Sequence, residues 1–182
     1  MALVVGTNCG FVTTAPVVDP NGAAGTCDNA SVAQKDTSPA VYTKITEVGW
    51  WCDAETEEAN FEIGLYSHNA GSNKPNARLS VDAVNAKGTG TGWLTVAVDW
   101  DITPETVYWI AVQLDNTATA SKNDQTGTVA VASSVVIGTT SLPETWEAGS
   151  TQINYFKSIY AVCTGGVTGV FVPHYYQKLL VG

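Results

Sequence analysis

Asp99 and Asp101 stand two residues apart in GWLTVAVDWDI, so an extended backbone puts both carboxylates on one face. Paired carboxylates are what glycoside hydrolysis uses to divide acid and base roles. These two flank Trp100 just ahead of the turn-forming ITPET, and one of them serves equally well to start that turn. A hydrolase otherwise needs a nucleophile with a base in reach. The two histidines are His68, at a strand end, and His174, beside Tyr175 and Tyr176 near the C-terminus. GxSxG, HExxH and a metal triad are all missing from the sequence. The expectation is a protein that is not an enzyme.

Asp53, Glu55, Glu57 and Glu58 crowd the segment DAETEEAN between two strand patterns. Hard cations such as calcium take several oxygens, which these carboxylates, Asn60 and backbone carbonyls would supply. The EF-hand pattern is absent, because no glycine occupies the turn position. A solvated acidic loop is the ordinary alternative, and both readings stay open. No other cofactor is implied.

The tryptophans carry a sharper signal. Trp50 and Trp51 are adjacent, so a regular strand turns one of them away from the core. Trp93 opposes the apolar face of its own strand, and Trp146 falls in the loop SLPETWEAGS. Exposed Trp and Tyr stack sugar rings and anchor protein interfaces. The candidate glycan or interface residues are therefore Trp50, Trp51, Trp93, Trp146, Tyr175 and Tyr176. The ordinary alternative is a second sheet or a loop that covers these rings.

The elements that must position these side chains read as a ladder of strands from Val41 to Leu114. It runs VYTKITEVGWW, NFEIGLYSH, ARLSVDAV, GWLTVAVDWDI and TVYWIAVQL, with turn chemistry between the runs. Alternation of period two with no long helical run specifies an antiparallel β-sandwich or barrel. Phe61, Ile63 and Leu65 share one face, as do Leu94, Val96, Val98, Trp100 and Ile102. TVYWIAVQL is apolar on both faces, which predicts a strand covered on both sides at the centre of its sheet. Pro104 sits in a turn that its fixed φ suits.

Outside the ladder, ALVVG and CGFVTTA read as short strands, PVVDPNGAAGTCDNA as loop, and SVAQKDTSP as a further edge strand. NTATASKNDQTG reads as a long loop, TVAVASSVVIG resumes alternation, and QINYFKSIYAVC is a last strand. The organisation expected is one domain over residues 1–182. It divides into an N-terminal arm and loop (1–40), a sandwich core (41–163) and an apolar, glycine-broken C-terminal tail (164–182). Such a tail is buried in its own core or in a partner. GTGTG at Gly88 to Gly92 is a hairpin turn without the lysine and helix of a phosphate loop.

Composition narrows the partners. The net charge is −9, with 8 basic residues scattered along 182, so the clustered cations that bind nucleic acid or an anionic membrane are missing. Only 14% of residues are charged, which leaves Thr, Ser, Asn, Ala and Gly to cover the surface, as on many extracellular and virion proteins. No run is long enough for a spanning helix, and MALVVGTNCGFVTTAP lacks the basic start of a signal peptide. Of the four cysteines, Cys52 and Cys163 fall in core strands, while Cys9 and Cys27 flank a Pro/Gly-rich loop and would pair in an oxidising medium. Asn29-Ala30-Ser31 matches a glycosylation sequon that stays unused without export.

The run Ile45-Thr46-Glu47-Val48-Gly49-Trp50, then Phe61-Glu62-Ile63-Gly64-Leu65-Tyr66-Ser67, Gly92-Trp93 and Tyr108-Trp109-Ile110-Ala111-Val112-Gln113 resembles a recurrent jelly-roll type. It is similar to modules of phage particle proteins and to carbohydrate-binding parts of secreted bacterial proteins. The resemblance covers roughly Val41 to Asn116 and rests on strand motifs, which carry fold and not ligand residues. It implies an all-β, jelly-roll-like sandwich. The function expected is a structural virion-surface protein of a phage, a head decoration, fibre or similar subunit. It would self-assemble through its termini, with itself and with capsid or tail proteins as partners. The alternative is a carbohydrate-binding module using surface Trp and Tyr, and a glycan-active enzyme is the third reading. All place the protein on a virion surface or outside the cell.

Overall fold

The computed structural model describes residues 1–20, 23–26, 29–52, 60–83, 91–115, 120–125, 131–146 and 149–165. Every regular element among them is a strand. In chain order these are β1 (Gly10–Val12), β2 (Ala23–Thr26), β3 (Ala30–Thr37), β4 (Tyr42–Cys52), β5 (Asn60–Asn69), β6 (Lys74–Asp82) and β7 (Gly92–Asp101). They continue as β8 (Val107–Asp115), β9 (Ala120–Gln125), β10 (Ser133–Ile137), β11 (Thr151–Ile153), β12 (Tyr155–Lys157) and β13 (Ile159–Gly165). A four-stranded sheet runs β1-β13-β4-β7, a six-stranded sheet runs β11-β10-β3-β8-β5-β6, and β12-β9-β2 form a third, smaller one. With the short β2 and β9 to β12 set aside, the two main sheets read β1-β13-β4-β7 and β3-β8-β5-β6. That order is the jelly-roll arrangement of a double sheet. The chain is an all-β sandwich, as the alternation requires.

The main core lies between these sheets. Ile45, Val48, Trp50 and Cys52 of β4 meet Ile63 and Leu65 of β5, Val96 of β7, and Tyr108, Ile110 and Val112 of β8. Leu94, Val98 and Trp100 pack against its margin, so the apolar face of GWLTVAVDWDI points inward. β8 sits between β3 and β5. Its other face enters a second cluster, in which Trp109 and Ala111 join Ala33, Tyr66, Val136, Leu142 and Trp146. Apolarity on both faces of this strand therefore has its predicted cause.

Several segments depart from the sequence reading. SVAQKDTSP, expected at an edge within an N-terminal arm, forms β3 inside the six-stranded sheet, paired with β8 and β10. Its Val32 and Ala33 serve the two clusters on opposite faces, which a short, half-polar run conceals. Ala23–Thr26 and Ala120–Gln125, expected as loop, pair as β2 and β9, whose backbone bonds need no apolar alternation. QINYFKSIYAVC is broken into β11, β12 and β13, one in each sheet.

The first residues fold back on their own chain. β1 pairs in parallel with β13, Gly10 opposite Tyr160. The Phe11 N–H donates to Asp36 Oδ2 at 2.8 Å, and the Thr37 N–H to Asp36 Oδ1 at 2.7 Å. Gly10, at φ 70°, admits that carboxylate where any Cβ would collide with it. Leu3, Cys9, Phe11 and Val12 are buried. Cys52 and Cys163 are buried too, whereas Cys27, and with it the expected Cys9–Cys27 bridge, lies outside the described residues. So does all but the first two residues of the C-terminal tail. Among the described residues, no helix is long and apolar enough to cross a membrane.

Candidate functional site

The outer face of the four-stranded sheet is built by alternation on β4. Val48, Trp50 and Cys52 take the inner face, which leaves Glu47, Gly49 and Trp51 outside. In register, Trp51 faces Trp93 and Gly49 faces Thr95 on β7, while Gly49 faces Tyr160 on β13. The Tyr160 ring lies across Gly49, where an added Cβ would collide with it. From there its hydroxyl donates to Glu47 Oε1 at 2.6 Å. Burial first, then the bond to Glu47, pushes the Tyr160 phenol above its ordinary range, so it remains a donor.

Three rings follow one another across the sheet. Trp93 stands edge-on to Tyr160, with centroids 5.2 Å apart, and Trp51 stands edge-on to Trp93 at 5.5 Å. Edge-to-face packing adds about 0.5–1.5 kcal/mol per pair beyond area burial and fixes ring orientation. Tyr160 is fully buried, whereas Trp51 and Trp93 keep part of their surface in solvent. The Trp93 indole N–H donates to the Val18 carbonyl at 3.1 Å, which ties the N-terminal segment to the rim. Val17 and Val18 are exposed there, as are Thr95 and Ala97 on β7. The result is a strip with two held indole rings, a hydroxyl, an apolar rim and the Glu47 carboxylate nearby.

The other expected residues are placed elsewhere. Trp50 is fully buried in the main core, because it is the member of the Trp50–Trp51 pair that the pleat turns inward. Trp146 is buried as well: its indole N–H donates to Ser134 Oγ at 3.0 Å and its ring packs on Tyr66 at 5.0 Å. Both rings are therefore withdrawn from any surface platform. Trp146 belongs to a loop that roofs the outer face of the six-stranded sheet. Tyr175, Tyr176 and His174 lie outside the described residues, as do Asp53, Glu55, Glu57 and Glu58, so the calcium expectation falls outside them too. Among the described residues, no group of three His, Cys, Asp or Glu side chains could hold a metal ion.

Asp99 and Asp101 do share a face, and Lys44 lies between them. Its Nζ is 3.3 Å from Asp101 and closer still to Asp99. The hydrogen bonds to Asp99 and then Asp101 raise the Lys44 ammonium above its ordinary value. All three side chains are open to solvent, where such pairs contribute little to stability.

A second feature has no signal in the sequence. At one end of the six-stranded sheet, a cleft of about 450 Å³ is lined by Lys35, His68, Val107 and Phe156 among others. Lys35 and His68 come from strands distant in sequence, and only the register of β3, β8 and β5 brings them together.

Neither a family model nor a curated protein matches the chain. Among solved structures, it is similar to the cysteine protease and lectin-like domains of Cwp84, a surface layer associated protein of Clostridium difficile. The identity is 12% and the TM-score 0.44. The likeness covers 72% of this chain and 32% of that one, so the chain spans about a third of the other's length. At that level it bears on neither activity nor ligand.

Proposed function

We propose that this protein is a non-enzymatic, extracellular carbohydrate-binding module whose stacking rings are Trp51 and Trp93. The observation that supports the reading is the held pair itself. Two partly exposed indoles lie on an outer sheet face, braced by buried Tyr160 and bordered by exposed Thr95. A sugar ring presents C–H groups to an indole face and hydroxyls to its edges, so apolar area and nearby polar atoms are both needed. The test is a glycan array followed by calorimetry on any hit, with and without chelator, for wild type, Trp51→Ala and Trp93→Ala. Binding weakened about tenfold or more by each substitution supports the reading. A blank array at millimolar ligand, or a hit untouched by both substitutions, sinks it. Chelator sensitivity would bring calcium, and the Asp53, Glu55, Glu57 and Glu58 segment, into the site.

A second reading keeps the protein as a self-assembling subunit of a phage particle surface. Its support is the exposure of Val4, Val17, Val18 and Ile137, apolar side chains of the kind that contact other copies bury. The native mass decides: a stable oligomer favours the subunit, and a monomer favours the module.

A further inference from the structure

Lys35 pairs with Trp109 across β3 and β8, and Trp109 pairs with Tyr66 across β8 and β5. Alternation puts Thr37, Val107 and His68 on the same outer face, two residues further toward the sheet's end. The cleft there, about 450 Å³, is completed by Val5, Ala132 and Phe156 from segments that pack over the face. Its walls are mostly apolar and its polar groups few, as in sites for small molecules.

Those polar groups have a definite sense. The Trp109 indole N–H donates to His68 Nδ1 at 3.0 Å, and the rings stack at 6.0 Å. Nδ1 is thus an acceptor, and the neutral imidazole carries its proton on Nε2, a donor. The Lys35 ammonium donates to Asn73 Oδ1 at 3.1 Å and lies 5.7 Å from the centre of the Trp109 ring. It makes no ion pair among the described residues, although the chain holds 17 carboxylates against 8 basic residues. Asp36 also lines the cleft, but both its oxygens already accept backbone N–H groups, from Phe11 and Thr37.

We infer that this cleft is a binding site for a small organic monocarboxylate, with Lys35 and His68 Nε2 donating to the carboxylate and Val5, Val107, Ala132 and Phe156 holding its apolar body. Two donors lining one cleft, one of them charged, match a two-oxygen monoanion. The Asp36 charge opposes any anion here, and a dianion such as phosphate about twice as strongly as a monoanion. Burial lowers the Lys35 pKa, and burial and then Lys35 lower that of His68, which keeps the imidazole neutral; an anion in the cleft would offset the desolvation of the Lys35 ammonium. The cleft and the Trp51–Trp93 strip lie on outer faces of different sheets, so this site stands or falls independently of glycan binding.

The test uses the full chain, with benzoate as probe and benzamide as its neutral counterpart of the same shape. The reporter is the Trp109 indole N–H resonance, assigned by its loss in Trp109→Phe. Benzoate should move that resonance saturably at millimolar concentration, and benzamide should bind at least about tenfold more weakly. Lys35→Met should bring benzoate down to the level of benzamide. Equal binding of the two probes, an unmoved Trp109 resonance, or full benzoate affinity in Lys35→Met would each overturn the inference. Should Lys35→Met not fold, the comparison of the two probes on the wild-type protein decides alone.

Discussion

Tyr160 crosses the sheet over Gly49, and its reach to Glu47 and Trp93 exists only because position 49 carries no side chain. Gly49→Ala forces the ring off the strand, and with it the brace beneath Trp93. Overpacking of this kind costs about 1–3 kcal/mol. Urea unfolding should show that loss, with a change in tryptophan emission in the folded baseline. Tyr160→Phe keeps the ring in place and removes only the bond to Glu47, so it should cost about 1 kcal/mol. Equal losses for the two substitutions would mean that the hydroxyl, not the ring, is the anchor.

Asp36 fastens β1 to the sandwich through the Phe11 amide and also accepts from the neighbouring Thr37 amide, and burial nevertheless holds its carboxyl above the ordinary carboxylate range. The folded protein therefore binds the proton more tightly than the unfolded chain does. Between the ordinary value and the raised one, this group's contribution to stability falls as pH rises, and it is largest in acid. Asp36→Asn does not titrate and offers only one acceptor oxygen to the Phe11 and Thr37 amides. At neutral pH it should cost about 1–3 kcal/mol. Wild type should gain on the variant as pH drops through the carboxylate range, measured by urea unfolding at each pH. A gap that narrows in acid would contradict the assignment.

How much of this was legible depended on what each residue's neighbours are in sequence. The inward faces of β4, β5, β7 and β8 follow from alternation, and so does the choice of Trp51 rather than Trp50 for the outside once the register is fixed. Burial of Trp146 was not legible, because its partners Tyr66 and Ser134 lie on other strands. In sequence, SVAQKDTSP reads as an edge strand, with Gln34, Lys35 and Asp36 in its second half. In the structure Gln34 is buried and accepts the Lys157 N–H at 2.8 Å, and Asp36 is spent on backbone amides. Polar residues that cap backbone groups inside a fold resemble surface residues in a sequence. The Lys35–His68 cleft is an extreme case, since its donors come from two strands on either side of a third.

The roof over the six-stranded sheet depends on Leu142. Its side chain is buried in the second cluster, and its N–H donates to Glu62 Oε2 at 2.6 Å. The Tyr66 hydroxyl holds the next carbonyl, that of Pro143, also at 2.6 Å. Leu142→Ala leaves those bonds in place and opens a cavity, at a cost of about 2–5 kcal/mol. Hydrogen exchange should rise first at Arg78 and Trp146, whose N–H groups bond Glu144 and Asn76 between roof and β6. Uniform acceleration across β4 and β8 as well would show that the roof does not open separately from the sandwich.

Cys163 faces the main core near Asp36, and burial first, then that carboxylate, pushes its thiol up to about 12. At pH 8 the thiolate fraction is then about one in ten thousand, and only the thiolate attacks electrophiles. The Cys163 peptide should stay unlabelled by maleimide in native buffer and label fully in denaturant, as read by mass spectrometry after digestion. Its slow labelling under native conditions should track global unfolding, because Cys163 pairs with Ile45 of β4 and is buried in the main core. Substitutions that destabilise the sandwich, Gly49→Ala among them, should therefore speed Cys163 labelling in proportion to the stability they remove. Labelling that is rapid in the wild type and indifferent to Gly49→Ala would mean that β13 opens locally.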